Sequence, residues 1–313
     1  MRRHIPPPPL SSLVLTLVLL ALVVLTALPS PARAADPKRE PLRIVYVNWS
    51  SSIASANLVR AVLEEKLGIP CRLTETTADS MWRMVAAGEA DAMLSAWLPE
   101  THAAYAATHL ADVDDLGPNL EGARVGLVVP RVSLGRPTTG TGLANRPLVE
   151  ARSITDLKTY GEQFGHRIVG IDPEAGVMRK TRIALREYEL DGWRLNQGDE
   201  QSMVKELERS IRRHERIVVT GWKPHWMFAL WRLEFLEDPK DVFGGHERIH
   251  TVVRKGLEDD MPEAYGFLNR FRWTAEDMEQ LMLWNRQSEG PDKYGNAQRW
   301  MRAHPDTVNA WID

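Results

Sequence analysis

The sequence predicts an α/β fold built on a mostly parallel sheet, and three observations carry that expectation. Short apolar strands alternate with amphipathic helical stretches along most of the chain. Three of those strands end on a tryptophan, Trp49, Trp97 and Trp222, each just before a turn or helix. Beyond an N-terminal leader about 278 residues remain, enough for one large α/β domain or two lobes.

The leader has the parts of an export signal. Met1–His4 is basic, Pro6–Pro9 forms a stiff spacer, and Leu10–Leu28 is apolar apart from Ser and Thr. Ala32-Arg33-Ala34 then fits a small-x-small cleavage site, so residues 1–35 read as a signal peptide and the periplasm as the destination. An uncleaved anchor is the alternative, since roughly 19 apolar residues could just span a bilayer. No later apolar run is long enough to cross a membrane.

Composition narrows the function classes. The formal charge is −3, and loss of the leader's three arginines makes it −6, which gives no reason to expect nucleic acid or anionic lipid as a partner. Cys71 is the single cysteine, so an intrachain disulfide and a Cys-based metal site are both excluded; it reads as a small core residue. The 11 tryptophans outnumber the 6 tyrosines and the 6 phenylalanines, more than packing alone calls for.

Taken in order, Leu42–Val47 reads as a strand leading to Trp49, and Ser50–Ser52 as cap chemistry for a helix that Gly68 and Pro70 end. A strand around Cys71 and a helix over Met81–Ala87 follow. Ala92–Ala96 is an apolar strand that delivers Trp97 ahead of Leu98-Pro99, and His102, five residues on, shares the same rim. Asp112–Asn119, rich in turn formers, reads as a loop, Ala123–Val129 as a strand, and the Gly/Thr/Pro-rich Arg131–Pro147 as a surface loop. Its Gly-Thr-Gly run lacks the Lys-Ser/Thr ending of a phosphate loop. A strand over His166–Ile171 leads to Ala175-Gly176-Val177, the first turn of a helix, whose outward N–H groups make a ready anion site or an ordinary strand-to-helix turn. An amphipathic helix over Ser202–Arg213 precedes the strand Arg216–Thr220, which ends in Gly221-Trp222-Lys-Pro-His225-Trp226. Beyond Leu233, one strand near Ile249–Val253 and helices remain, with Trp273, Trp284, Trp300 and Trp311 at packing positions.

Acid–base chemistry at His102, His225, Asp91 and Asp172 is the enzymatic alternative. No nucleophile elbow, His-Glu-x-x-His spacing or nucleotide fingerprint accompanies those residues, and His225 reads as hydrogen-bonded support for Trp222, so no enzyme, cofactor or metal is expected.

Several segments in one order now carry a resemblance: Trp49 with its helix, Gly88-Glu-Ala-Asp91, Ala96-Trp-Leu-Pro99, Leu116–Gly122, Asp172–Met178, Gly221–Phe228 and Glu237–Lys240. From the Ile44 strand onward the chain resembles the substrate-binding proteins of glycine betaine/choline ABC importers. The resemblance implies a type II periplasmic binding protein fold, with two hinge-connected α/β lobes and the ligand in the cleft. It implies an ammonium cage of Trp49, Trp97 and Trp222, a carboxylate held by His102 and the amides of Gly176 and Val177, an inner-membrane ABC permease as partner, and a monomer. The lobes are expected at 36–119 plus 228–313 and at 120–227. A choline binder of the same family, or a ligand-sensing module, is the alternative function.

This chain also departs from the family pattern. Choline-preferring relatives carry an acid where this chain has Ser51, and a cage tyrosine near Val125, which is not aromatic here; both differences argue against choline. The Arg131–Pro147 loop is longer than usual, and Gly198-Asp-Glu200 replaces a Ser-rich turn.

Overall fold

The computed structural model describes residues 40–131, 133–134, 146–287 and 292–313. The expected leader and most of the Arg131–Pro147 loop lie outside the described residues. Strand β1 (Leu42–Val47) runs straight into the helix Ser50–Val62, which widens into a π-turn over Leu63–Leu67 and stops at Gly68. Gly68 sits at φ 63°, in the left-handed region where glycine is the cheapest stop. β2 (Cys71–Thr76), the helix Ala78–Ala86 and β3 (Ala92–Leu98) complete the first strand–helix units. Cys71 is only partly buried, at the margin of the core instead of inside it.

The sheet order is β2-β1-β3-β11-β4-β9-β7-β8, where β4 is Val113–Pro130, β7 Arg167–Val169, β8 Arg194–Asn196, β9 Val218–Lys223 and β11 Glu247–Arg254; β5 (Ser133–Leu134) and β6 (Arg146–Pro147) pair with each other in a separate two-stranded ladder. The two wings are parallel, β1 with β2 and β3, and β7 with β8 and β9. The middle is antiparallel: β11 lies between β3 and β4, and β4 pairs with β9. The expectation of a mostly parallel sheet therefore holds only for the wings. The chain has to cross between halves, and a crossing strand paired on both sides runs against its neighbours.

β4 is the piece that sequence patterning misreads. The turn formers of Asp112–Asn119 belong to an 18-residue strand, whose first part pairs with β11 and whose second part pairs with β9. Gly117 at φ 83° and Gly122 at φ 74° accommodate the register shifts along the β11 pairing, so residues that usually end strands here bend one. Beyond Met227 the chain continues along the second part of β4. β10 (Leu233–Phe235) pairs with Val128–Pro130, and the amides of Leu236 and Glu237 bond Leu127 and Arg152 at 2.8 Å. The chain rejoins the first half-sheet only with β11.

C-terminal helices cover the first half. Trp300 is fully buried, 6.0 Å from a nearly parallel Trp311 and stacked on His304, as expected for a packing tryptophan. Trp300→Ala removes that filling from a site with no room to collapse. It should cost about 3–5 kcal/mol of unfolding free energy in urea titrations, with ligand affinity of the folded fraction unchanged.

Candidate functional site

Each tryptophan of interest sits at the carboxyl end of its strand, where α/β sheets hold ligands. Trp49 follows β1, Trp97 is the penultimate residue of β3, and Trp222 is the penultimate residue of β9. The two half-sheets face each other across a small cavity of about 30 Å³. It is lined by these three rings and by His102, Gly176 and Val177, so all six residues expected at the site converge. Thr101, Val125, Ile171 and Ala175 complete the lining; Thr101 and Ile171 were not expected there. Val125, where the resemblance placed a cage tyrosine in choline-preferring relatives, lies opposite Trp222 in the β4–β9 pairing.

The polar tip of Trp49 is satisfied from the other half of the sheet: its indole N–H donates to Asp172 Oδ2 at 2.9 Å. The ring faces remain for the cavity. Thr101 is held by buried Glu247, which accepts from the Thr101 amide at 2.7 Å and from its hydroxyl at 2.5 Å. The helix Gly176–Glu187 begins against this turn, and its first amides have no carbonyl one turn earlier to bond. A Cβ on Gly176 would lie 2.2 Å from the Thr101 carbonyl oxygen, so only glycine lets the helix end approach so closely.

His102 is a buried, neutral donor. Its Nδ1 accepts from the Trp82 indole N–H and from the Trp97 amide, both at 3.2 Å. With two donors aimed at Nδ1 the ring proton belongs on Nε2, the nitrogen left for the cavity. Burial, reinforced by the Arg179 charge, pushes its pKa down to about 3. Trp82 is the residue sequence reasoning missed; nothing in its helical spacing separates it from a core residue.

The remaining acid–base candidates do not meet. Asp91 is ion-paired at 2.7 Å with Arg43 and with Arg254, at the amino end of β3 and outside the cavity lining. Burial alone would raise its carboxyl, but those arginine hydrogen bonds hold it below the usual range. His225 is fully buried, packs edge-on against Trp222 at 4.9 Å and bonds Glu200 at 3.0 Å, the supporting position expected of it.

Because the His102 ring stays neutral to about pH 3 when folded but has an ordinary value of 6.5, the unfolded chain binds the extra proton between those limits. The group's contribution to stability is complete above pH ~6.5 and is lost as pH falls toward 3, by up to about 1.4 kcal/mol per pH unit. Urea midpoints taken at pH 7, 6 and 5 should decline, and His102→Gln should flatten that decline.

Comparison with known proteins agrees with this geometry. Residues 40–303 match the family described as the substrate binding domain of ABC-type glycine betaine transport systems. The structure of lactococcal OpuAC, closed and complexed with glycine betaine, is similar at a TM-score of 0.78 and 38% identity, covering 88% of this chain and 100% of that one. The glycine/betaine/L-proline-binding protein ProX from Borrelia burgdorferi reaches 0.78 at 33% identity, over 88% of this chain and 97% of its own. The glycine betaine/carnitine transport binding protein GbuC of Listeria monocytogenes is 45% identical over 158 residues, 50% of this chain; the match spans about half, 52%, of that curated relative. The two-lobed type II binding-protein fold is the one observed, and the chain belongs to the family of substrate-binding domains of ABC-type glycine betaine transport systems.

Proposed function

We propose that this chain captures glycine betaine, or a closely related betaine, between its lobes and delivers it to an ABC permease in the membrane. The observation that carries the reading is the shared lining of one cavity: three tryptophan rings together with a neutral histidine N–H and a helix N-terminus. A trimethylammonium group donates no strong hydrogen bond, so water holds it weakly and polar side chains gain little from it. Aromatic faces attract its diffuse charge and tolerate its methyls, at about 0.5–2 kcal/mol per ring. Three rings could thus supply roughly 2–6 of the ~8 kcal/mol that micromolar binding requires. The amides of Gly176 and Val177 and the Nε2–H of His102 would supply the rest at the carboxylate, without a buried Lys or Arg.

In this reading the lobes are residues 40 to about 119 with about 243–313, and about 120–242, connected by β4 and by the segment before β11. Trp49 and Trp97 belong to the first lobe and Trp222 to the second, so the cage is complete only when the lobes meet. The leader would export the chain to the periplasm. The homologues' transport role supports a binder and not a catalyst.

Calorimetry with glycine betaine and choline tests the assignment. Trp49→Ala, Trp97→Ala and Trp222→Ala should each weaken betaine binding by about 1–3 kcal/mol. Three variants that bind as well as wild type would remove the cage.

Choline keeps the ammonium but offers a hydroxyl where betaine offers a carboxylate, leaving desolvated donors underused at a cost of about 1–3 kcal/mol. Betaine should win tenfold or more, and His102→Ala should shrink that ratio along with the affinity. Choline binding as tightly as betaine, with betaine indifferent to His102→Ala, would move the chain to the choline binders.

A further inference from the structure

Two helices meet across the cleft beside the cage, and one lacks what the other has to spare. The helix Ser50–Val62 starts directly after Trp49, and no side chain of its own segment caps it. Of Ser50–Ser52, expected to do so, two are engaged elsewhere: the Ser52 hydroxyl accepts from the Val47 amide and from Ser95, and Ser50 points to the opposite lobe. The helix Glu200–Arg213 is capped twice over, because Asp199 and Ser202 form a reciprocal capping box. Glu200, at its first position, is therefore not needed for its own helix.

Its carboxylate, 5% exposed, instead reaches the other lobe. Glu200 Oε2 accepts the Ser50 amide at 2.8 Å, and Oε1 accepts the Ser50 hydroxyl. Oε1 also takes the His225 ring N–H at 3.0 Å, while the Trp226 indole N–H donates to Ser50 Oγ at 3.0 Å. A carboxylate beside free first-turn amides is favoured by both hydrogen bonding and the helix dipole. Glu200 does not line the ligand cavity, yet it is bonded to the neighbour of Trp49 and to the histidine packed on Trp222.

We propose that Glu200 is a closure latch, a positioning residue that caps the Ser50 helix from the opposite lobe only when the lobes meet. This rests on the reading of the chain as a two-lobed betaine binder. A group that stabilises the closed form without touching the ligand raises the affinity of every ligand by the same factor. That is a different signature from His102, whose changes alter the ratio between ligands.

The test compares Glu200→Gln, Ser50→Ala and the double variant by calorimetry with glycine betaine and with choline, alongside X-ray scattering of the ligand-saturated proteins. Glu200→Gln should weaken both ligands about tenfold and Ser50→Ala about threefold, with the betaine-to-choline ratio unchanged. The double variant should fall close to Glu200→Gln, since the Ser50 hydroxyl then has no acid left to lose. Ser50→Ala keeps the Glu200–His225 bond and carries the test by itself if Glu200→Gln fails to fold. Unchanged affinities, or a loss confined to one ligand, would overturn the latch. Wild type binding neither ligand would instead sink the functional reading; the latch would then be judged on scattering alone, and a radius of gyration unmoved by Glu200→Gln would remove it.

Discussion

One strand serves both halves of this protein. β4 pairs with β11 over its first part and with β9 and β10 over its second, so the two half-sheets share a backbone rail. Everything at the cavity depends on that sharing. Parallel wings on either side of an antiparallel centre turn the carboxyl ends of β1 and β3 toward that of β9. Three tryptophans that are 48 and 125 residues apart along the chain thereby line one space (Trp49 to Trp97 to Trp222).

The aromatic residues around that space are divided between tip and face. Indole N–H groups are strong donors and are costly to bury unpaired. Those of Trp49, Trp82 and Trp226 are spent on Asp172, His102 and Ser50, and two of these three bonds cross between the half-sheets. Satisfying the Trp49 tip leaves its ring faces free of competing polar demands and orients them at the same time. Cross-cleft bonds from Tyr105 to the Glu174 carbonyl at 2.7 Å and from Lys180 to Glu100 at 3.4 Å add further points of contact. The cavity is small because these groups draw its walls together.

What could be read from the sequence was local and strongly signalled. Gly68 marked a helix end, Ala175-Gly176-Val177 a helix start, and tryptophan at three strand ends a shared geometry, and all of these recur in the fold. What could not be read depends on partners distant in sequence. Gly117 and Pro118 look like loop residues until β11, about 130 residues later, pairs with them at His250. Ser50–Ser52 look like caps because the competing acid, Glu200, is 150 residues away. Trp82 looks like core because only the folded chain brings its N–H to His102. Propensity describes what a segment can do alone, and each of these segments is overruled by a contact made across the molecule.

The placement of β11 has a consequence for how the chain acquires its structure during synthesis. The half-sheet that holds the N-terminal strands receives the strand that joins it to β4 from residues 247–254, and its covering helices end at residue 312. The other half pairs residues 124–235 among themselves. A ribosome therefore releases the second half as a nearly self-sufficient unit, while the first stays an open, unfinished sheet until almost the last residue appears. Long-range pairing of that kind slows completion of the fold.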